Sequence, residues 1–179
     1  MEGYENFTIV TEKEQFYLKA IEQKFAKDIF NELTDEITYY MYPSTPQKIE
    51  ETEQFIDESI EKNRIGRQIQ MVILSKENDE FLGCAGLHKM NTPTPELGVW
   101  VKKSAQGNGY GKKAMEVLKR RADKNLNYKY IIYPFDTDNI ASRKVAEYLG
   151  GRYADEYYSQ NMDGTYSYVL EYRIFPKSG

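Results

Sequence analysis

The segment Glu96–Lys113, E-L-G-V-W-V-K-K-S-A-Q-G-N-G-Y-G-K-K, constrains the fold more than any other part of the chain. Leu97, Val99 and Val101 alternate with Gly98, Trp100 and Lys102, the period of a half-buried strand. Gly107, Asn108 and Gly109 interrupt that pattern. From Tyr110 to about Lys124, the apolar residues Tyr110, Ala114, Val117, Leu118 and Ala122 recur at helical spacing. Strand, glycine turn and helix in that order predict unpaired amides at the helix start. The helix dipole adds partial positive charge there, which suits a phosphate. Glycine tolerates positive φ and lets an anion come close to the backbone.

Two other phosphate loops do not fit. A P-loop needs G-x-x-x-x-G-K-[ST], and no glycine of this segment has that spacing. The dinucleotide fingerprint G-x-G-x-x-G, begun at Gly107, would need glycine where Lys112 stands. What remains is Gln106-Gly107-Asn108-Gly109-Tyr110-Gly111.

The 179 residues suffice for one domain with a full core, and the expectation is a single domain over 1–179. A hydrophobic share of 40% against 29% charged predicts a soluble globular chain. No apolar run approaches the ~20 residues of a membrane helix. The polar, acidic start predicts no secretory signal, and the lone Cys84 allows no intrachain disulfide; both fit a cytoplasmic protein. His88 is the single histidine, so a zinc cluster is close to excluded and no metal is expected. Cys84 and His88 share a strand face but stand ~13 Å apart at ~3.3 Å per residue, too far for a thiolate–imidazole pair. Both read as structural. A net charge of −4 gives no bulk pull toward nucleic acid.

The remaining elements follow in order. A short strand near Thr8–Val10 and a strand Phe16–Ile21 precede an amphipathic helix marked by Phe25, Ile29, Phe30 and Leu33. After Tyr39, Tyr40, Met41 and Tyr42, Ser44 or Thr45 is expected to cap a second helix with Pro46 in its first turn. That helix runs to about Lys62 with Ile49, Phe55, Ile56 and Ile60 inward, and its acidic face reads as solvated. Gln68–Leu74 and Phe81–His88 form an antiparallel hairpin, in which Gly83 and Gly86 allow close backbone approach or a bulge. Beyond the glycine loop, Tyr128–Phe135 reads as a buried strand and Ile140–Leu149 as a helix stopped by Gly150-Gly151. Arg152–Tyr158 and Tyr166–Phe175 close the chain as a hairpin around Asp163-Gly164. This is an α+β order: a mixed, mostly antiparallel sheet flanked by about four helices. One parallel crossover passes through the helix after the glycine loop.

Gln106–Gly111 resembles the Q/R-x-x-G-x-G/A loop of the GNAT superfamily of acyl-CoA-dependent N-acetyltransferases. A second match is Asp136-Thr137-Asp138-Asn139-Ile140-Ala141-Ser142 followed by Tyr148-Leu149-Gly150. It is similar to the D-x-x-N-x-A-S…L-G-F segment of the branch that holds the ribosomal-protein N-terminal acetyltransferases. Glu96-Leu97-Gly98 with Trp100 resembles that branch's E-x-G-x-W strand. Gly151 departs from it, since an aromatic residue is usual there.

The resemblance implies a GNAT fold over most of the chain and acetyl-CoA as co-substrate. It implies that the backbone of Val99, Trp100 and Val101 pairs with the pantetheine arm. Gln106, Gly107, Asn108, Gly109, Tyr110 and Gly111 would hold the pyrophosphate, helped by Lys112, and Asn139 would bond the pantetheine. Glu96 matches a glutamate that serves as base, and burial beneath aromatic residues would aid it. Many members carry a tyrosine acid seven residues after the asparagine; here that position is Ala146, so Ser142 is expected to assist the leaving thiolate.

Two function classes follow. One is an N-acetyltransferase acting on a primary amine, either a protein N-terminus or a small amine. The other is a CoA-binding module that has lost catalysis. No nucleic-acid or membrane partner is expected, and monomer and homodimer remain open. Tyr39, Tyr40, Tyr157, Tyr158 and Tyr166 offer either an acceptor surface or core.

Overall fold

The computed structural model describes residues 3–177. Its strands are β1 (Thr8–Val10), β2 (Phe16–Ala20), β3 (Ile69–Ser75), β4 (Phe81–His88), β5 (Glu96–Val101), β6 (Ile131–Asp136), β7 (Arg152–Gln160) and β8 (Tyr166–Ile174). Its helices are α1 (Ala26–Glu32), α2 (Asp35–Thr38), α3 (Ile49–Arg64), α4 (Tyr110–Asn125) and α5 (Ile140–Tyr148). The strands form one sheet in the order β1-β2-β3-β4-β5-β6-β8-β7, antiparallel except for β5 and β6. This is the α+β architecture read from the sequence, with the single-turn α2 added.

The two faces of the sheet carry separate cores, as strand alternation requires. One face buries Leu18, Met71, Ile73, Leu87, Leu97 and Ile131 against Met115 and Leu118 of α4, with Ala146 of α5. The other buries Val72, Leu74, Phe81 and Cys84 against Phe25, Ile29 and Ile56 from the α1 and α3 side. On β5, therefore, Leu97, Val99 and Val101 face α4, whereas Glu96, Gly98 and Trp100 face α3.

Gly83 serves the close approach expected of it. Leu82 and Gly83 together oppose Ile73, a bulge that turns both toward the α4 face. A Cβ on Gly83 would stand 2.2 Å from the Trp100 carbonyl oxygen, a backbone atom that cannot step aside. Gly83→Ala is therefore expected to lower stability by about 1–3 kcal/mol through overpacking. Urea denaturation checks this, and an unchanged midpoint would mean the two strands part at no cost. Gly151 has a similar role, since its Cβ would lie 2.7 Å from the Ala146 oxygen. Bare glycine lets the chain close on the end of α5, which accounts for the missing aromatic residue.

Two boundaries and one helix face differ from expectation. The N-cap of α3 is Lys48, not Ser44 or Thr45, because Glu51 folds back on the amides of Gln47 and Lys48 at 2.6 and 3.1 Å. Phe55 is 46% exposed; the buried face is Thr52, Ile56, Ser59 and Asn63. That face is partly polar because the Asn63 amide bonds both backbone groups of Gln70, at 3.1 and 2.8 Å, at the start of β3. The strand expected from Tyr128 begins only at Ile131.

Candidate active site

β5 and β6 pair at one position only, Glu96 with Ile132. The Ile132 amide donates to the Pro95 carbonyl at 2.8 Å. Two residues on, Pro134 presents the same edge and has no N–H to donate. The ladder stops there and the strands part. On β5 the Lys102 amide donates to Leu82, so by alternation Gly98 and Trp100 direct their backbone groups to β4. Val99 and Val101 direct theirs into the gap. The Gln106 side chain covers the Val101 carbonyl at 3.1 Å. Trp100 thus differs from its two neighbours: its backbone belongs to the β4 ladder and its ring packs on Phe81, centroids 5.8 Å apart.

The glycine loop lies at the open end of this gap. Gly107 and Gly109 have φ of +85° and +77°, the left-handed region that favours glycine, and a Cβ on either would meet nothing within 4 Å. The Asn108 side chain ties the loop to the Ala105 carbonyl at 3.0 Å. Among the described residues, the amides of Gly107, Asn108, Gly109, Tyr110, Gly111 and Lys112 have no hydrogen-bond partner. They form a nest of donors at the positive end of a 16-residue helix. Gly111 seats the first turn of α4 on Val99 and Val101, its Cβ position 3.5 Å from Val101 Cγ2. Tyr110 anchors the turn edge-on against Phe16. The Lys112 ammonium leans over the Tyr148 ring, 4.6 Å from its centroid.

Across the gap, Asn139 caps α5 by accepting from the Ser142 amide at 3.1 Å. Its Nδ2 carries no partner among the described residues. Ser142 is half-buried beside the Tyr133 phenol. Burial pushes that phenol well above its ordinary value, and the Ser142 hydroxyl offsets part of the rise. Ala146 is fully buried in the core. Tyr148 faces elsewhere, its hydroxyl 3.1 Å from both Lys113 and Glu116 on α4.

Glu96 lies on the opposite face, at the wall of a cavity of about 400 Å³ between α3 and the ends of β3, β4 and β5. Lys89 holds one carboxylate oxygen at 2.8 Å, and the side chain is 27% exposed rather than buried under aromatics. Its aromatic neighbour is Tyr157, whose phenol is pushed up by burial and then by Glu171, Glu96 and Asp155. Opposite Glu96 on β4, His88 donates its Nε2 proton to Gln70 Oε1 at 2.7 Å, folding over the bare Gly86. Burial lowers its pKa, Glu96 counters this, and Lys62 and Lys89 add to the lowering, so the ring is neutral at neutral pH. Cys84 is buried and its thiol pushed far up, so it is no nucleophile.

Sequence patterning missed the setting of Glu96: Lys89 bonds it, His88 pairs with it across the strands, and Gln70 and Lys62 line the same cavity from β3 and α3, none of them at local spacing. It also missed Pro134, which a strand reading can flag. Tyr39, Tyr158 and Tyr166 are exposed at 75%, 75% and 67% and belong to no core. Among the described residues no group of acidic, histidine or cysteine side chains suits a metal ion. No described helix is long and apolar enough to cross a membrane.

A family model for the acetyltransferase (GNAT) domain matches residues 15–152. No curated protein matches the chain. Among solved structures, the chain is similar to RimL, a ribosomal L7/L12 alpha-N-protein acetyltransferase in complex with coenzyme A. Identity is 17% over 96% of this chain and 99% of that one, with a TM-score of 0.84. It is also similar to the microcin C7 self-immunity acetyltransferase MccE in complex with acetyl-CoA and AMP, at 18% identity over 91% and 93% with a TM-score of 0.80. A third is the spermidine N-acetyltransferase of Vibrio cholerae in complex with CoA and spermine, at 18% over 90% and 95% with a TM-score of 0.77. Identities this low establish a shared fold.

Proposed function

The chain belongs to the GNAT acetyltransferases, and from that premise we propose how its own residues move an acetyl group from acetyl-CoA to a primary amine. The observation that carries the reading is the single-pair junction of β5 and β6 beside a nest of unpaired amides. The amides of 107–112 hold the pyrophosphate, and the Val99 carbonyl and the Val101 amide, which point into the gap, pair with the pantetheine arm as an added strand would. Asn139 reaches the arm through its free Nδ2 while capping α5.

The acceptor comes from the other face, where Glu96 stands. Its ammonium displaces Lys89 and gives a proton to the Glu96 carboxylate, directly or through water. The neutral amine attacks the thioester carbonyl, and the Val99 amide is the backbone donor for the oxyanion. The C–S bond then breaks as the C–N bond is completed, the nitrogen sheds its second proton, and the departing thiolate takes that proton up to leave as CoA. No covalent enzyme intermediate is needed, which agrees with an inert Cys84.

Ser142 helps the departing thiolate on this reading, because its hydroxyl lies beside Tyr133 of β6, the strand that borders the gap, and Tyr148 is engaged with Lys113 and Glu116. Ser142→Ala is expected to slow single-turnover transfer by about 10²-fold, the low end for a general acid, and Tyr148→Phe by much less. A larger loss in the tyrosine variant would remove Ser142 from this role.

The reading as a whole is tested by release of free CoA from acetyl-CoA over a panel of primary amines. Turnover with any amine supports it. Tight CoA binding without turnover across the panel would instead make the protein a CoA-binding sensor. RimL and the spermidine enzyme share the fold, so protein N-termini and polyamines head that panel. A cytoplasmic setting, where acetyl-CoA is made and used, fits the reaction.

A further inference from the structure

The cavity at Glu96 narrows the acceptor class. Three cations line it, Lys62, Arg67 and Lys89, against two carboxylates, Glu58 and Glu96. Lys89 is committed to Glu96. Lys62 and Arg67 have no acidic partner within ion-pair distance among the described residues; both line the cavity, and the Arg67 amide bonds the Lys62 carbonyl at 3.0 Å, which holds their backbones in one turn. Lys62 is close enough to His88, across the cavity wall from Glu96, for its charge to act on that ring.

The acidic residues of α3 do not offset this pair. Glu51 is used in the helix cap, Asp57 accepts from Gln23 at 2.7 Å, Glu61 holds Arg64 at 2.6 Å, and Glu50 and Glu53 do not line the cavity. Only Glu58 turns into the cavity, and it accepts from Gln54 at 3.1 Å. An acceptor with several ammonium groups would meet Lys62 and Arg67 with one carboxylate to spare. An acceptor with one ammonium and one anion would satisfy both ends, the anion against a lysine and a guanidinium suited to forked contacts.

We propose that the acceptor is a primary amine whose own molecule carries a carboxylate or phosphate, which Lys62 and Arg67 hold while Glu96 takes the amine. This rests on the acetyl-transfer reading of the same site. The exposed Phe55 ring on the cavity wall gives the connecting atoms an apolar surface.

The test compares kcat/KM for Ala-Asp-Ala amide, Ala-Ala-Ala amide and Ala-Lys-Ala amide, and for phosphoethanolamine, ethanolamine and spermidine. The acid-bearing member of each set is expected to lead the neutral one by about tenfold, with the cationic ones last. The peptide and phosphate arms tell the two sources of the anion apart. Lys62→Glu and Arg67→Glu are expected to erase the lead while CoA still stabilises the protein. Equal or inverted ranking, or a lead that survives both charge reversals, overturns the proposal. If no amine releases CoA, the transfer reading falls and a second measurement decides this one. An extra thermal shift of the CoA complex by the acidic peptide, lost in Lys62→Glu, upholds the anion site; its absence sinks it.

Discussion

Glu96→Gln is expected to keep CoA affinity and to lose roughly 10²–10⁴-fold in the rate of acetyl transfer, the span of a general base. CoA affinity should hold because the Glu96 side chain faces α3, whereas the amide nest and the Val99 and Val101 side chains lie on the α4 side. The rate should fall because glutamine keeps the shape and cannot take a proton. A carboxylate ordinarily titrates near ~4, an α-ammonium near ~8 and an alkyl ammonium near ~10. Transfer from an ammonium to an ordinary carboxylate is uphill, and least so for a protein α-amine. The loss should therefore shrink as pH rises and more of the amine is already neutral. Lys89 is the internal control: it competes with the substrate for the same oxygen, at 2.8 Å, and is itself 60% exposed. Lys89→Met should free the carboxylate without removing the base. A glutamine variant with parental turnover at neutral pH would take Glu96 out of the mechanism.

Gly109→Glu should weaken CoA binding by about 100-fold or more, since a like charge set against a bound anion costs several kcal/mol. A Cβ at this position meets nothing within 4 Å, so the folded chain has room for the side chain. The backbone at φ +77° adds a penalty of order 1–3 kcal/mol for any residue but glycine. Gly109→Ala carries that strain without the charge and should bind better than the glutamate variant. Calorimetric titration with CoA reads both, and circular dichroism shows whether each is folded. Equal affinity in the parent and in a folded glutamate variant would mean the phosphates are held elsewhere.

Most of the fold was legible because its punctuation is local. Glycine pairs, Asp-Gly and period-two alternation mark turns and strands within a few residues of where they act. The loop at 107–111 could be read in the same way. The cavity at Glu96, the proposed acceptor site, could not, because its members come from α3, β3, β4 and β5 and meet only when the register pairs His88 with Glu96. Phe55 shows the limit of reading apolar residues alone: next to Ile56 in an amphipathic helix it reads as inward, yet it is 46% exposed. α3 instead turns a polar ridge inward because Asn63 serves as backbone partner to β3. Pro134 was in plain view, yet the apolar run around it outweighed the one residue that explains why two strands separate.

That missing N–H has a mechanical consequence. The sheet amounts to two plates, β1 to β5 and β6 with β8 and β7, hinged at the Glu96–Ile132 pair and the hydrogen bond beside it. A molecule that hydrogen-bonds along the inner edge of β5 and also touches α5 rivets the plates together. On the proposed reading, a co-substrate bound there would complete the sheet as well as carry the acetyl group.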